Sequence, residues 1–166
     1  SCNVTAIAFA SYRPHKVLDL PFLTLLPLMP LVEVVQTILT DEKTVAQAYE
    51  WVQAVGKVPV RTKDSTAFIV NRLLVPYLLD AIRVYEGGLA TLEDIDAAMK
   101  LGCGYPMGPF TLLDLVGLDT TMFVAEVMFE EFREARYAPP PLLKRMVMAG
   151  QLGRKTGKGF YSYPAK

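Results

Sequence analysis

The chain has 166 residues, of which 52% are hydrophobic and 20% charged, with Lys plus Arg equal to Asp plus Glu at 17 each. That length and hydrophobicity support a packed core and exclude a disordered segment, while the balanced charge without a basic block argues against nucleic acid as a partner. The two cysteines, Cys2 and Cys103, lack metal-ligand spacing, so a reduced intracellular setting is expected.

Residues 1–30 read as two short strands, one in SCNVTAIAFA with part of a turn and one in RPHKVLDL. The Leu-rich stretch Val17 to Leu31 follows Arg13, His15 and Lys16 and superficially resembles a secretion signal. Pro21, Pro27 and Pro30 interrupt it, no small-residue cleavage site follows, and it is too short and broken to span a bilayer. Neither secretion nor membrane insertion is expected, and the abrupt start suggests a chain that begins inside a larger architecture.

Leu31 to Gln36 (LVEVVQ) reads as a β-branched strand with Glu33 in its middle. A carboxylate flanked by Val32, Val34 and Val35 needs a partner if it points inward; strand alternation could equally turn it to solvent. Thr40 or Asp41 is placed to cap a helix with Val45, Ala48, Tyr49, Val52 and Val55 on one face and Gly56 at its end. Lys57 to Thr62 reads as a second strand. Asp64, Ser65 or Thr66 then offers an N-cap for the longest apolar stretch, Ala67 to Glu86.

In that stretch Arg72, Pro76, Asp80 and Arg83 form one narrow polar edge, so a helix wrapped on most sides is expected. Its charges argue against a bilayer, and Pro76 removes a helical hydrogen bond and predicts a bend. Asn71 lies near the helix start among apolar neighbours, where its amide is either satisfied by backbone or presented to a ligand. Gly87 and Gly88 end the helix. Thr91 with Asp94 reads as a capping box for a helix stopped by Gly102, and Pro109 as the first residue of the next. Gly117 breaks that helix, Asp119 caps a longer continuation, and Leu142 to Ala149 forms the last one.

Three tempting motifs fail. The glycines of GCGYPMG follow a helix instead of a strand and lack dinucleotide-fingerprint spacing. GRKTGKG has Gly159 where a phosphate loop needs Ser or Thr after its lysine. His15 is the only histidine, which leaves zinc sites and a Ser–His–Asp triad without a basis. Glu33, Asn71 and the basic tail of Arg154, Lys155 and Lys158 remain, the tail read on its own as a solvated face.

Taken together, PLMPLVEVVQT, DSTAFIVNRLLVPYLLDAIRVYEGG, LEDIDAAMKLGCGYPMGPFTLLDLVGLDTT and GRKTGKGFYSY closely resemble the C-terminal domain of L-3-hydroxyacyl-CoA dehydrogenases, over about Pro27 to Tyr163. The resemblance implies a mainly α fold. A helical-bundle dimerisation domain like the C-terminal domain of 6-phosphogluconate dehydrogenase would span residues 37–166, with residues 1–36 the remnant of the end of a Rossmann-type NAD domain. It also implies an oxidoreductase of fatty-acid β-oxidation that uses NAD to oxidise a 3-hydroxyacyl-CoA, works as a homodimer, and resides in a bacterial cytoplasm or the mitochondrial matrix.

Residue by residue, the catalytic carboxylate of the family matches Glu33 and the Asn aimed at the substrate oxygen matches Asn71. The substrate-side Ser matches Thr5, and the tail lysine that reaches the cofactor matches Lys155. The catalytic His position holds Pro21, and the nearby Asn position, on the cofactor side, holds Thr24. The expected readings are therefore a piece of an NAD-dependent dehydrogenase that is inactive alone, or a catalytically dead helical module that dimerises and binds.

Overall fold

The computed structural model describes residues 3–21 and 29–164. The chain divides into two compact units, residues 1–70 and 71–166. The sequence reading set the boundary after Gln36, whereas the second strand–helix–strand segment belongs with the first unit. The architecture is mostly helical with one three-stranded sheet.

The first unit opens with helix α1, Val4–Phe9, where a strand was expected. The Asn3 side chain accepts a hydrogen bond from the Ala6 N–H at 2.9 Å, and Val4 and Ala8, one helical turn apart, are buried. A short apolar run does not distinguish strand from helix by periodicity, and the cap decides it. The second expected strand shrinks to β1, Leu18–Asp19, after a 3-10 turn over Pro14–Lys16.

Strand β2, Leu31–Gln36, lies in the middle of the sheet, antiparallel to β1 and parallel to β3, Val58–Lys63. Helix α2, Glu42–Ala54, makes the crossover that a parallel pair requires. Asp41 caps it, accepting from the Thr44 N–H at 2.6 Å, and Val45 and Val52 pack against Val32 and Val34 of the central strand. Val32 to Val35 are all buried, so β2 does not alternate between core and solvent. The alternative that Glu33 turns to water is thereby excluded: its exposure is 4%.

The second unit holds helix α3, which starts at Val70 and ends at Glu86, and then α4, Leu92–Cys103, α5, Pro109–Val116, α6, Leu118–Phe132, and α7, Pro141–Met148. Leu78, Leu79, Ile82, Phe110, Leu113, Leu118, Met128 and Leu143 form its core. Two expectations need correction. Helix α3 is not wrapped on most sides, because Leu73 and Val84 are exposed. It also starts several residues later than the expected cap, after a turn closed by the Phe68 N–H donating to the Ser65 carbonyl at 3.0 Å. Half of the expected capping box forms: Thr91 Oγ1 accepts from the Asp94 N–H at 3.2 Å and donates to its carboxylate at 2.8 Å, so that carboxylate meets the Thr91 hydroxyl. That helix ends at Gly104, in the left-handed region at φ +69°, instead of at Gly102.

Candidate active site

Glu33 is a buried carboxylate whose partners lie in its own unit. Its Oε1 accepts the backbone N–H of Ile69 at 2.8 Å and that of Val70 at 3.3 Å. Two peptide dipoles on one oxygen offset much of what an ion loses on leaving water. The strand that carries Glu33 also sets what lies beside it. β1 and β2 pair Leu18 with Gln36 and Asp19 with Val35. Continued by two residues, that register sets Pro21 opposite Glu33, and directly opposite residues of an antiparallel pair share a face. Position 21, which the resemblance aligns with the base, lies two residues beyond the end of β1 on that register. Proline has no titratable group, so position 21 supplies no base in this chain. His15 does not replace it: it is exposed in the 3-10 turn, with its carbonyl accepting the Asp41 N–H.

Asn71 follows directly in the chain, in the first turn of α3, and is half-buried. Its side chain makes no hydrogen bond among the described residues, so the amide is not consumed by nearby backbone. Thr5 is engaged: its N–H and its hydroxyl both donate to Asp64 Oδ2 at 2.6 Å, which leaves the hydroxyl oxygen only as an acceptor. Thr24 lies outside the described residues.

Lys155 sits in a 3-10 turn of the C-terminal segment, its Nζ 2.6 and 2.7 Å from the two oxygens of Asp119. Burial pushes the Asp119 carboxyl up, but the Lys155 ammonium and the Thr120 N–H outweigh it and hold the group below the usual carboxylate range. The tail is thus not a loose solvated segment: Lys155 is half exposed but paired.

Two carboxylates that sequence reasoning passed over organise the second unit. Asp96 Oδ1 accepts the Phe110 N–H at 2.7 Å, and its Oδ2 accepts the Thr111 N–H at 3.0 Å, the Thr111 hydroxyl at 2.7 Å and the Tyr161 hydroxyl at 3.1 Å. Asp114 accepts the N–H groups of Phe160 and Tyr161 at 2.9 and 2.8 Å and the Tyr163 hydroxyl at 2.9 Å. The legible signal was an Asp set inside an apolar helix run, as in Leu113-Asp114-Leu115.

A nicotinamide dinucleotide asks for a glycine-lined turn at a helix N-terminus where backbone N–H groups meet its pyrophosphate. The loop from β2 into α2, Thr37 to Asp41, has no glycine, and the Asp41 carboxylate already holds the helix N-terminus. The Lys155 ammonium is engaged by Asp119. The described residues on their own do not fit a dinucleotide cradle.

Comparison with known proteins identifies the class to which the chain belongs. The family model described as the C-terminal domain of 3-hydroxyacyl-CoA dehydrogenase matches residues 68–163, and the one described as the NAD binding domain of the same enzymes matches residues 1–65. This chain therefore belongs to the 3-hydroxyacyl-CoA dehydrogenase family. A 3-hydroxybutyryl-CoA dehydrogenase of Mycobacterium tuberculosis is 53% identical over 98% of this chain and 57% of the relative. The human mitochondrial hydroxyacyl-coenzyme A dehydrogenase is 50% identical over 98% of this chain and 52% of the relative. Among solved structures, (S)-3-hydroxybutyryl-CoA dehydrogenase PaaH1 from Ralstonia eutropha matches with a TM-score of 0.95 at 41% identity, covering 99% of this chain and 58% of that one. The chain thus spans somewhat more than half the length of these relatives.

Proposed function

We propose that this chain is part of an NAD-dependent dehydrogenase that interconverts 3-hydroxyacyl-CoA and 3-oxoacyl-CoA in fatty-acid breakdown. The observation that carries the reading is the buried Glu33 carboxylate, its Oε1 anchored by the N–H groups of Ile69 and Val70, on a strand whose register with β1, continued two residues, runs to position 21. In such a reaction the 3-hydroxyl gives up its proton to a base and the carbon that bears it gives up hydride, and a nicotinamide held by the complete dehydrogenase would supply the hydride acceptor. The chain's own share is on the oxygen side. Asn71 donates to the substrate oxygen, Thr5 lines the acyl-CoA, and Glu33 is the carboxylate that would stabilise the charge of a base at position 21, where this chain has Pro21. Lys155, once released from Asp119, is the candidate cofactor contact, Thr24 is assigned to the cofactor by resemblance alone, and the cofactor is held mainly by parts of the dehydrogenase outside this chain. The first unit is then the end of a Rossmann-type domain, and the second a helical bundle of the kind found at the C-terminus of 6-phosphogluconate dehydrogenase.

Pro21 favours a second reading for the chain as it stands: a binding and assembly module without redox chemistry. A base at position 21 is what the hydroxyl proton requires, and proline cannot accept it. In both readings the second unit forms a homodimer, supported by exposed apolar side chains on it, Leu73 at 67%, Leu101 at 85%, Phe123 at 58% and Met148 at 88%. Phe110 and Leu113 are fully buried within one copy and do not take part. No described helix is long and apolar enough to cross a membrane, and relatives named mitochondrial alongside bacterial ones support a mitochondrial matrix or bacterial cytoplasmic location. Acetoacetyl-CoA titrated calorimetrically into the chain tests the reading. Asn71→Ala is expected to weaken binding by about tenfold, the worth of one hydrogen bond to a ligand, with helical circular dichroism unchanged. Unaltered affinity, or loss of helix, would make Asn71 structural.

A further inference from the structure

Beside Glu33 lies a turn that the proposed reaction does not use. Ala67 and Phe68 both have positive φ, +66° and +48°. Two consecutive left-handed residues with side chains are a conformation that L-amino acids seldom adopt, and they persist where the surroundings require them. Ala67 is 2% exposed, so its methyl group is packed in place. The turn's consequence is directional: the next two N–H groups, of Ile69 and Val70, converge on a single oxygen, Oε1 of Glu33. A carboxylate held at one oxygen cannot spin about its last torsion, and its second oxygen keeps a fixed heading.

We propose that the left-handed turn at Ala67 and Phe68 is the positioning element for Glu33, locking Oε1 so that Oε2 is turned to the residue at position 21. The proposal rests on the reading of Glu33 as the partner of that position. It assigns Ala67 and Phe68 to the site as positioning residues, acting through Glu33 and not on substrate. A plain helix cap would need only an acceptor of either charge. The positioning role needs a carboxylate whose free oxygen meets a group across the strand pair.

The test uses the full chain carrying Pro21→His, with the new imidazole titrated by NMR. Its pKa is expected about one unit above that of the same substitution combined with Glu33→Gln, because a nearby carboxylate favours the charged ring. Adding Ala67→Gly, which tolerates positive φ, should keep the shift. Ala67→Val, a β-branched residue that resists positive φ, should abolish it with helical content retained. If Ala67→Val keeps the shift, the turn does not position Glu33 and the proposal fails while the pairing survives. If Pro21→His shows no dependence on Glu33, the pairing fails and the proposal with it. Should Ala67→Val not fold, amide exchange in the otherwise unchanged chain decides. Ile69 and Val70 should exchange about tenfold faster in Glu33→Ala and not in Glu33→Gln, and equal protection in all three chains would overturn the anchor.

Discussion

At the scale of single residues, the glycines of the signature segments act as clearances for buried carboxylates. A Cβ on Gly108 would lie 2.3 Å from Asp96 Cγ, and one on Gly159 would lie 2.0 Å from Asp114 Oδ1. Gly108→Ala is therefore expected to destabilise the fold by about 2 kcal/mol, the cost of overpacking, as a lowered urea midpoint. Asp114→Ala should cost more, about 3 kcal/mol or above, because it leaves two half-buried peptide N–H groups and a tyrosine hydroxyl without their acceptor. A change within 0.5 kcal/mol for either variant would contradict this account. Sequence reading recognised GYPMGPF and GRKTGKGF as patterns but could not supply their reason. Gly108 and Asp96 are brought together by the packing of α5 on α4, and no local rule relates them. Glu33 was legible as a candidate, but its burial was not, since nothing local says that its strand is the central one.

At the scale of elements, the C-terminal segment is a strap tied to α4 and α5 through tyrosines and carboxylates. Tyr161 donates to Asp96 and Tyr163 to Asp114. Burial, with the neighbouring carboxylates, pushes both phenols above their ordinary value of about 10. Burial pushes Tyr77 of α3 up to about 12, with the Tyr105 ring beside it. A group whose folded pKa is raised contributes stability that is complete below the unfolded value and is lost as pH climbs through the folded one. Urea midpoints should therefore hold level up to about pH 10 and fall steadily between about 10 and 12, with the strap's amides exchanging first. A flat profile across that range would mean that the phenols do not support the strap. Helix boundaries in this region were largely readable from their punctuation, Thr91 with Asp94, Pro109 and Gly117. The first helix was not, because an Asn cap on six apolar-rich residues competes with an equally good strand pattern.

At the scale of the whole molecule, exposed Leu101, Phe123 and Met148 set the expectation that two copies associate through the second unit. Sedimentation at micromolar concentration should give twice the 18.4 kDa chain mass, and a stable monomer would count against it. The family was readable from four segments met in order, because such segments join distant parts of one packed structure. The division into units was not readable, since α2 and β3 join the first unit through a crossover that strand order alone reveals. The central proposal is that Glu33 is the carboxylate of a 3-hydroxyacyl-CoA dehydrogenase site that, with Pro21, lacks the base that takes the proton. The most direct test is NADH oxidation with acetoacetyl-CoA by the purified chain, its intact mass verified. The account predicts no turnover above the protein-free rate. Steady turnover with Pro21 in place would contradict it, because some other group would then be exchanging the proton.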